Sequence, residues 1–125
     1  MLRLLFVSQD KNIFQDMIAV LKVHEDVDLE LLESGEKALA IIPGKEVDLV
    51  VLDDDLGDMT GLEFVKRVLK INFMINFAVV SELSPDKFHE ATEGLGVMTQ
   101  LPKQPGKEDA EEMIKTLKQI KGLPA

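Results

Sequence analysis

Cysteine, tryptophan and tyrosine are absent from this 125-residue chain. Without cysteine there is no disulfide framework, no thiolate metal site and no thiol nucleophile. Without Trp or Tyr the chain lacks the best stacking platforms for nucleic-acid bases, although six Phe remain. Basic residues are also scarce: 14 Lys+Arg stand against 23 Asp+Glu, a formal net charge of −9. The acids are spread along the chain and no basic stripe exists to neutralise phosphates, so nucleic acid is not an expected partner. No apolar run approaches the roughly 18–20 residues a membrane helix needs. The opening MLRLLFV gives way to Gln9, Asp10 and Lys11 too soon for a signal peptide. These absences predict a cytoplasmic location with no membrane contact.

Apolar residues make up 46% of the chain and charged residues 30%, the composition of a folded domain rather than a disordered segment. The length suits one domain, residues 1–125, around one hydrophobic core. Strand-length apolar runs recur at 2–7, 27–32, 47–52, 77–80 and 97–101, and LLFV, LVVL and FAVV are nearly unbroken. Such runs fit parallel strands covered on both faces. Helical spacing lies between them: Ile13, Phe14, Met17, Ile18 and Leu21 share one face, Leu62, Val65, Val68 and Leu69 another, and Met113, Ile114, Leu117 and Ile120 a third. Ser84-Pro85-Asp86 is a cap, a first-turn proline and an early acid. Ser34 can cap a helix from Glu36 to about Ile42, which Pro43-Gly44 stops, and Asp10 can cap one starting near Asn12. Alternating strands and helices with short turns predict an α/β fold, a doubly wound five-stranded parallel sheet flanked by five helices.

Ligands and chemistry gather at the carboxyl ends of the strands in such sheets. Ser8, Gln9 and Asp10 follow the first strand, Asp53, Asp54 and Asp55 the third, Ser81 and Glu82 the fourth, and the fifth runs into Lys103. Asp53, Ser81 and Lys103 together make a kit for aspartyl-phosphate chemistry: a carboxylate to attack phosphorus, a hydroxyl and an ammonium to bind its oxygens.

The stretch VDLVVLDDDLGDMTGLEFVKRV, residues 47–68, with AVVSE at 78–82 and LPKQP at 101–105, resembles the receiver domains of response regulators in two-component signalling. The resemblance covers essentially the whole chain. It implies the flavodoxin-like strand order 2-1-3-4-5, a phosphorelay function without enzyme turnover, and a sensor histidine kinase or phosphotransfer protein as partner. On that match Asp53 is the phosphoacceptor, Gly61 the loop glycine, Ser81 the family's Ser/Thr and Lys103 its lysine, with Gln104 intervening before Pro105. It also implies Mg²⁺, held by Asp53, by the backbone carbonyl of Asp55 and by two adjacent acids after the first strand. Here those two positions read Ser8 and Gln9. A hydroxyl and an amide are poorer Mg²⁺ ligands than carboxylates, so weak binding is expected.

Other departures concern access and readout. Glu82 stands where the family usually has a small residue, Gln100 where it has a switch aromatic, and Thr60 where it has an Asp before the glycine; the loop proline near Gly57 is missing. Without the acid pair, Lys103 becomes the expected ion partner of Asp53, holding its carboxylate ionised. Strand alternation points Asp54 away from Asp53, and Asp54 and Asp58 read as a solvated loop.

Two readings on this fold therefore stand: a receiver phosphorylated on Asp53 with weakened Mg²⁺-dependent chemistry, and a degenerate pseudo-receiver serving as a phosphorylation-independent interaction module. A haloacid-dehalogenase-type phosphatase is disfavoured, because its Asp-x-Asp motif ends the first strand rather than the third. A flavodoxin is disfavoured because SQDKN lacks the glycine of a flavin phosphate loop, and an EF-hand because Phe64 stands where its glutamate belongs. An output domain or protein partner outside this chain, and a homodimer through residues 107–121, complete the expectations.

Overall fold

The computed structural model of the protein describes residues 1–124. Five strands, β1 (Leu2–Val7), β2 (Val27–Leu32), β3 (Leu49–Leu52), β4 (Asn76–Val80) and β5 (Val97–Leu101), pair in parallel in the order β2-β1-β3-β4-β5. The helices α1 (Gln15–Leu21), α2 (Gly35–Ile41), α3 (Gly61–Ile71), α4 (Pro85–Thr92) and α5 (Lys107–Ile120) make the crossovers, with a short 3₁₀ turn at Ile42–Gly44. This is the doubly wound sheet with five helices that the apolar runs predict.

Burial follows position in the sheet. All four residues of β3 are buried, whereas the edge strands β2 and β5 are mostly intermediate. Alternation along each strand feeds two cores. Leu5, Val7, Val50, Leu52, Phe77 and Val79 pack with Phe64, Val65 and Val68 of α3. Leu4, Phe6, Val51, Ala78 and Val80 pack with Met17 of α1 and Met113, Ile114 and Leu117 of α5. In that second core the rings of Phe6 and Phe14 meet edge to face at 5.3 Å, a pairing that adds about 1 kcal/mol beyond burial.

The caps at Ser34 and Ser84 form as expected, each hydroxyl accepting from the backbone N–H three residues on. Three expectations need correction. Helix α1 begins at Gln15, because the Asp10 carboxylate accepts from Asn12 N at 2.9 Å and makes a turn there instead of capping a helix. Strand β3 begins at Leu49, because Asp48 uses its side chain to accept from Arg3 N at 2.8 Å. Ile120, assigned to the buried stripe of the last helix, is 53% exposed in its final turn.

Candidate functional site

Asp53 follows β3 directly and Ser8 follows β1; because Val7 pairs with Leu52, the two side chains are brought side by side. The backbone N–H of Asp53 donates to Val7 O at 3.2 Å, extending the ladder by one bond. Asp53 Oδ1 accepts from the N–H of Asp54 at 2.8 Å, which fixes its carboxylate plane. Ser8 is fully buried. Its Oγ accepts from Asp10 N at 3.0 Å and lies 3.0 Å from Asp10 O and 3.5 Å from Asp53 Oδ2. One hydroxyl proton serves both oxygens, and the shorter geometry belongs to Asp10 O. Burial, followed by the adjacent Asp54 carboxylate, therefore raises the Asp53 pKa to about 6, against which the Ser8 hydroxyl is a weak counterweight. Asp54, expected to point away, acts on Asp53 because strand alternation ends at Leu52.

The loop from Asp53 to Gly61 is folded on itself. Asp55 Oδ1 accepts from Gly57 N, the Asp55 backbone pairs with Thr60, and Leu56 N donates to Met59 O. Gly57 has φ +87° and lies against the Gln9 amide, where a Cβ would fall 2.7 Å from Gln9 Oε1. A Cβ on Gly61 would fall 2.6 Å from the Asp53 carbonyl oxygen. That oxygen belongs to backbone and cannot swing aside, so Gly61→Ala is expected to lower stability by about 2 kcal/mol in urea denaturation and to displace Asp53. Thr60 caps α3 through Glu63 N at 3.1 Å, and Thr60-x-x-Glu63 is a capping pattern legible in the sequence. Asp58 is no solvated loop residue: its two oxygens accept from Gly35 N and Glu36 N at 3.1 and 2.9 Å. Those bonds across 22 and 23 residues tie the loop to the start of α2 and hold the Asp58 pKa below its ordinary value.

Ser81 follows β4, and its Oγ accepts from Leu83 N at 3.2 Å. Lys103 Nζ pairs with Glu82 at 3.4 Å rather than with Asp53. The two side chains are 77% and 69% exposed, so the pair contributes at most about 1 kcal/mol. The expected Asp53–Lys103 pair does not form because Glu82, next to Ser81, intercepts the ammonium. Just beyond, Gln104 turns the chain with φ 55°, a left-handed conformation uncommon for a side chain of this kind. Gln100 is the residue whose role sequence reasoning missed. Its Nε2 donates to Ser81 O at 3.1 Å and to Leu83 O at 2.8 Å, tying β5 to the β4–α4 loop. The polar groups acting on Asp53 are thus the neutral Ser8 hydroxyl on the β1 side and the Asp54 carboxylate on the loop side. Among the described residues no three His, Cys, Asp or Glu side chains cluster as a metal site, and no helix is long and apolar enough to cross a membrane.

The family described as "Response regulator receiver domain" matches residues 4–117. A search of the curated proteins finds no match. Among solved structures, a CheY-like receiver domain protein from Methanospirillum hungatei superposes with TM-score 0.82 at 22% identity, covering 98% of both chains. The chemotaxis response regulator CheY4 of Vibrio cholerae gives TM-score 0.80 at 24% identity, over 94% of this chain and 98% of that one. A streptococcal protein described as a redox sensor evolved from two-component response regulators gives 0.81 at 19%, over 98% of this chain and 53% of that one. At these identities the structural likeness establishes the fold alone. The match across residues 4–117 establishes more: the chain belongs to the response regulator receiver domain family of two-component signalling.

Proposed function

We propose that this chain, read as one receiver domain over residues 1–125, accepts a phosphoryl group on Asp53 from a phosphohistidine of a sensor kinase or phosphotransfer protein. The observation that carries the reading is the placement of the Asp53 carboxylate. It is half-buried at the end of the central strand and oriented by Asp54 N, with Ser81 after the adjacent β4 and Lys103 beyond β5 at the same edge of the sheet. An Asp53 oxygen attacks phosphorus; the O–P bond forms as the P–N bond breaks, and the imidazole leaves with the bonding pair and takes a proton from solvent. The chain itself turns over no substrate. Signalling would pass to an output domain or a protein partner outside this chain.

The donor set fits Mg²⁺ poorly. A dication with hard oxygen preferences finds the Asp53 carboxylate and the Asp55 carbonyl, but a hydroxyl at Ser8 and an amide at Gln9 in place of two acids. The Asp53 pKa is raised by burial and then by the Asp54 carboxylate beside it. Metal dependence should accordingly be slight and phosphorylation slow. Only the ionised carboxylate attacks, so the rate is expected to fall to half its plateau near pH 6 as pH is lowered.

A second reading, a phosphorylation-independent interaction module, is favoured by the Lys103–Glu82 pair and by the Gln100 tie, which commit two pocket residues elsewhere. Intact mass after incubation with a small-molecule phosphodonor, with and without Mg²⁺, separates the two; the absence of Trp removes a fluorescence readout. One phosphoryl adduct, lost in Asp53→Asn, is the expected result. No adduct from either the donor or a phosphorylated kinase domain would leave the interaction module as the function.

A further inference from the structure

Beside the acid pocket, on the α3–α4 side of the sheet, a cleft of about 420 Å³ opens between the start of α3 and α4. That volume lies in the range of sites that accept a ligand or a partner side chain. Its floor is the end of β4, Val79 and Val80, and its walls include Leu62, Phe88 and Ala91. At the rim Leu83 is 45% exposed. It is not a loose loop leucine. Its carbonyl accepts from Gln100 Nε2 and its N–H donates to Ser81 Oγ, so both of its backbone polar groups are held. A backbone tied in this way to Ser81 and to β5 has little further loop freedom to lose on binding, which favours association.

The rim charge has one sign. Asp54 and Glu82 line the cleft, both exposed, and no lysine or arginine does so among the described residues. Lys103 pairs with Glu82 at 3.4 Å, but both side chains are exposed, so the pair is weak and open to exchange with an incoming cation. The whole chain carries −9, which draws cationic partners and repels anionic ones.

We propose that this cleft is a docking site for a protein segment presenting an aliphatic side chain beside a lysine or arginine. The aliphatic group fills the space over Val79 and Phe88 against Leu83, and the cation lies between Asp54 and Glu82. A helix with apolar residues at i and i+4 flanked by basic ones meets both demands. The site does not depend on phosphorylation of Asp53, so it stands or falls separately from the phosphoacceptor reading.

The test is a nuclear magnetic resonance titration of the ¹⁵N-labelled full chain with a short helical peptide carrying Leu at i and i+4 between lysines. Its control has every lysine replaced by glutamate. The expected result is shift changes concentrated at Leu62, Val79, Ser81, Leu83 and Ala91, with the glutamate peptide binding at least roughly tenfold more weakly. Leu83→Asp is expected to weaken the lysine peptide about tenfold. Ala91→Phe, an exposed helix position that fills the cleft without entering the core, should do the same. Equal binding of the two peptides, shift changes centred elsewhere, or no binding of the lysine peptide at millimolar concentration would each overturn the proposal.

Discussion

At pH 8 the Asp53→Asn variant is expected to unfold about 1–2 kcal/mol less readily than the parent, an advantage that vanishes on acidification. The cause is the raised Asp53 pKa, about 6 in the fold against an ordinary 3.8. A carboxyl with a raised folded pKa prefers to be neutral in the native state. Below 3.8 it is neutral in both folded and unfolded chains and costs nothing. As pH rises through 6 the native state has to hold a charge that burial and Asp54 disfavour, and stability is lost. Linkage for a shift of this size sets an upper bound of about 3 kcal/mol. Asp53 is only half-buried, so solvent screening brings the figure down to about 1–2 kcal/mol. Asparagine removes the charge while keeping the acceptor for Asp54 N and offering a donor to Ser8 Oγ. Urea denaturation of both proteins from pH 3 to pH 8 measures the gap. A gap that stays flat, or a parent more stable at pH 8, would mean that the pocket supplies compensating positive charge to Asp53.

Restoring the two missing acids is expected to have the largest effect on metal binding. In the double variant Ser8→Asp, Gln9→Asp, Mg²⁺ should bind about a hundredfold more tightly than in the parent. Each added carboxylate about 4 Å from a dication contributes roughly 2 kcal/mol even at the dielectric of water. Mutual repulsion among the acids returns part of that gain. Without metal the variant should be less stable than the parent by about 2 kcal/mol, because position 8 is fully buried beside Asp53 and would carry a second charge. Millimolar Mg²⁺ should restore the loss. Calorimetric titration gives the affinity and thermal unfolding with and without Mg²⁺ gives the rescue. If the parent already binds Mg²⁺ as tightly as the variant, the carbonyl and loop oxygens suffice as ligands and the pocket is not weakened.

The limits of sequence reasoning at this site have a spatial pattern. Ser8, Asp53, Ser81 and Lys103 could each be placed at a strand end, because a strand end is marked by where an apolar run stops. Which of them meet was not legible. Lys103 was assigned to Asp53 and goes to Glu82, a choice decided by the turn at Gln104 and by a few ångströms of side-chain reach. Asp58 was assigned to solvent and caps α2, since its partners lie more than 20 residues earlier and nothing local announces them. In the sequence Gln100 stands out only as the replacement of the family's aromatic. Its tie to Ser81 and Leu83 requires knowing that β5 lies beside β4 in the fold.

The sequence by itself determined the strands, the helices and the doubly wound class of the sheet, while the strand order followed from the family resemblance. Hydrophobic period, capping residues and turn residues act over a few positions, and the cost of exposing an apolar run is the same wherever the run ends up. Only the tertiary structure decided that, among the described residues, Lys103 pairs with Glu82 rather than Asp53, that the β4–α4 loop is tied to β5, and that an exposed leucine stands at the rim of an acidic cleft. Hydrogen bonds fall off within an ångström or so of their ideal geometry, and a surface ion pair is worth little unless its side chains meet closely. They are therefore set by how distant segments are brought together, which no local pattern records.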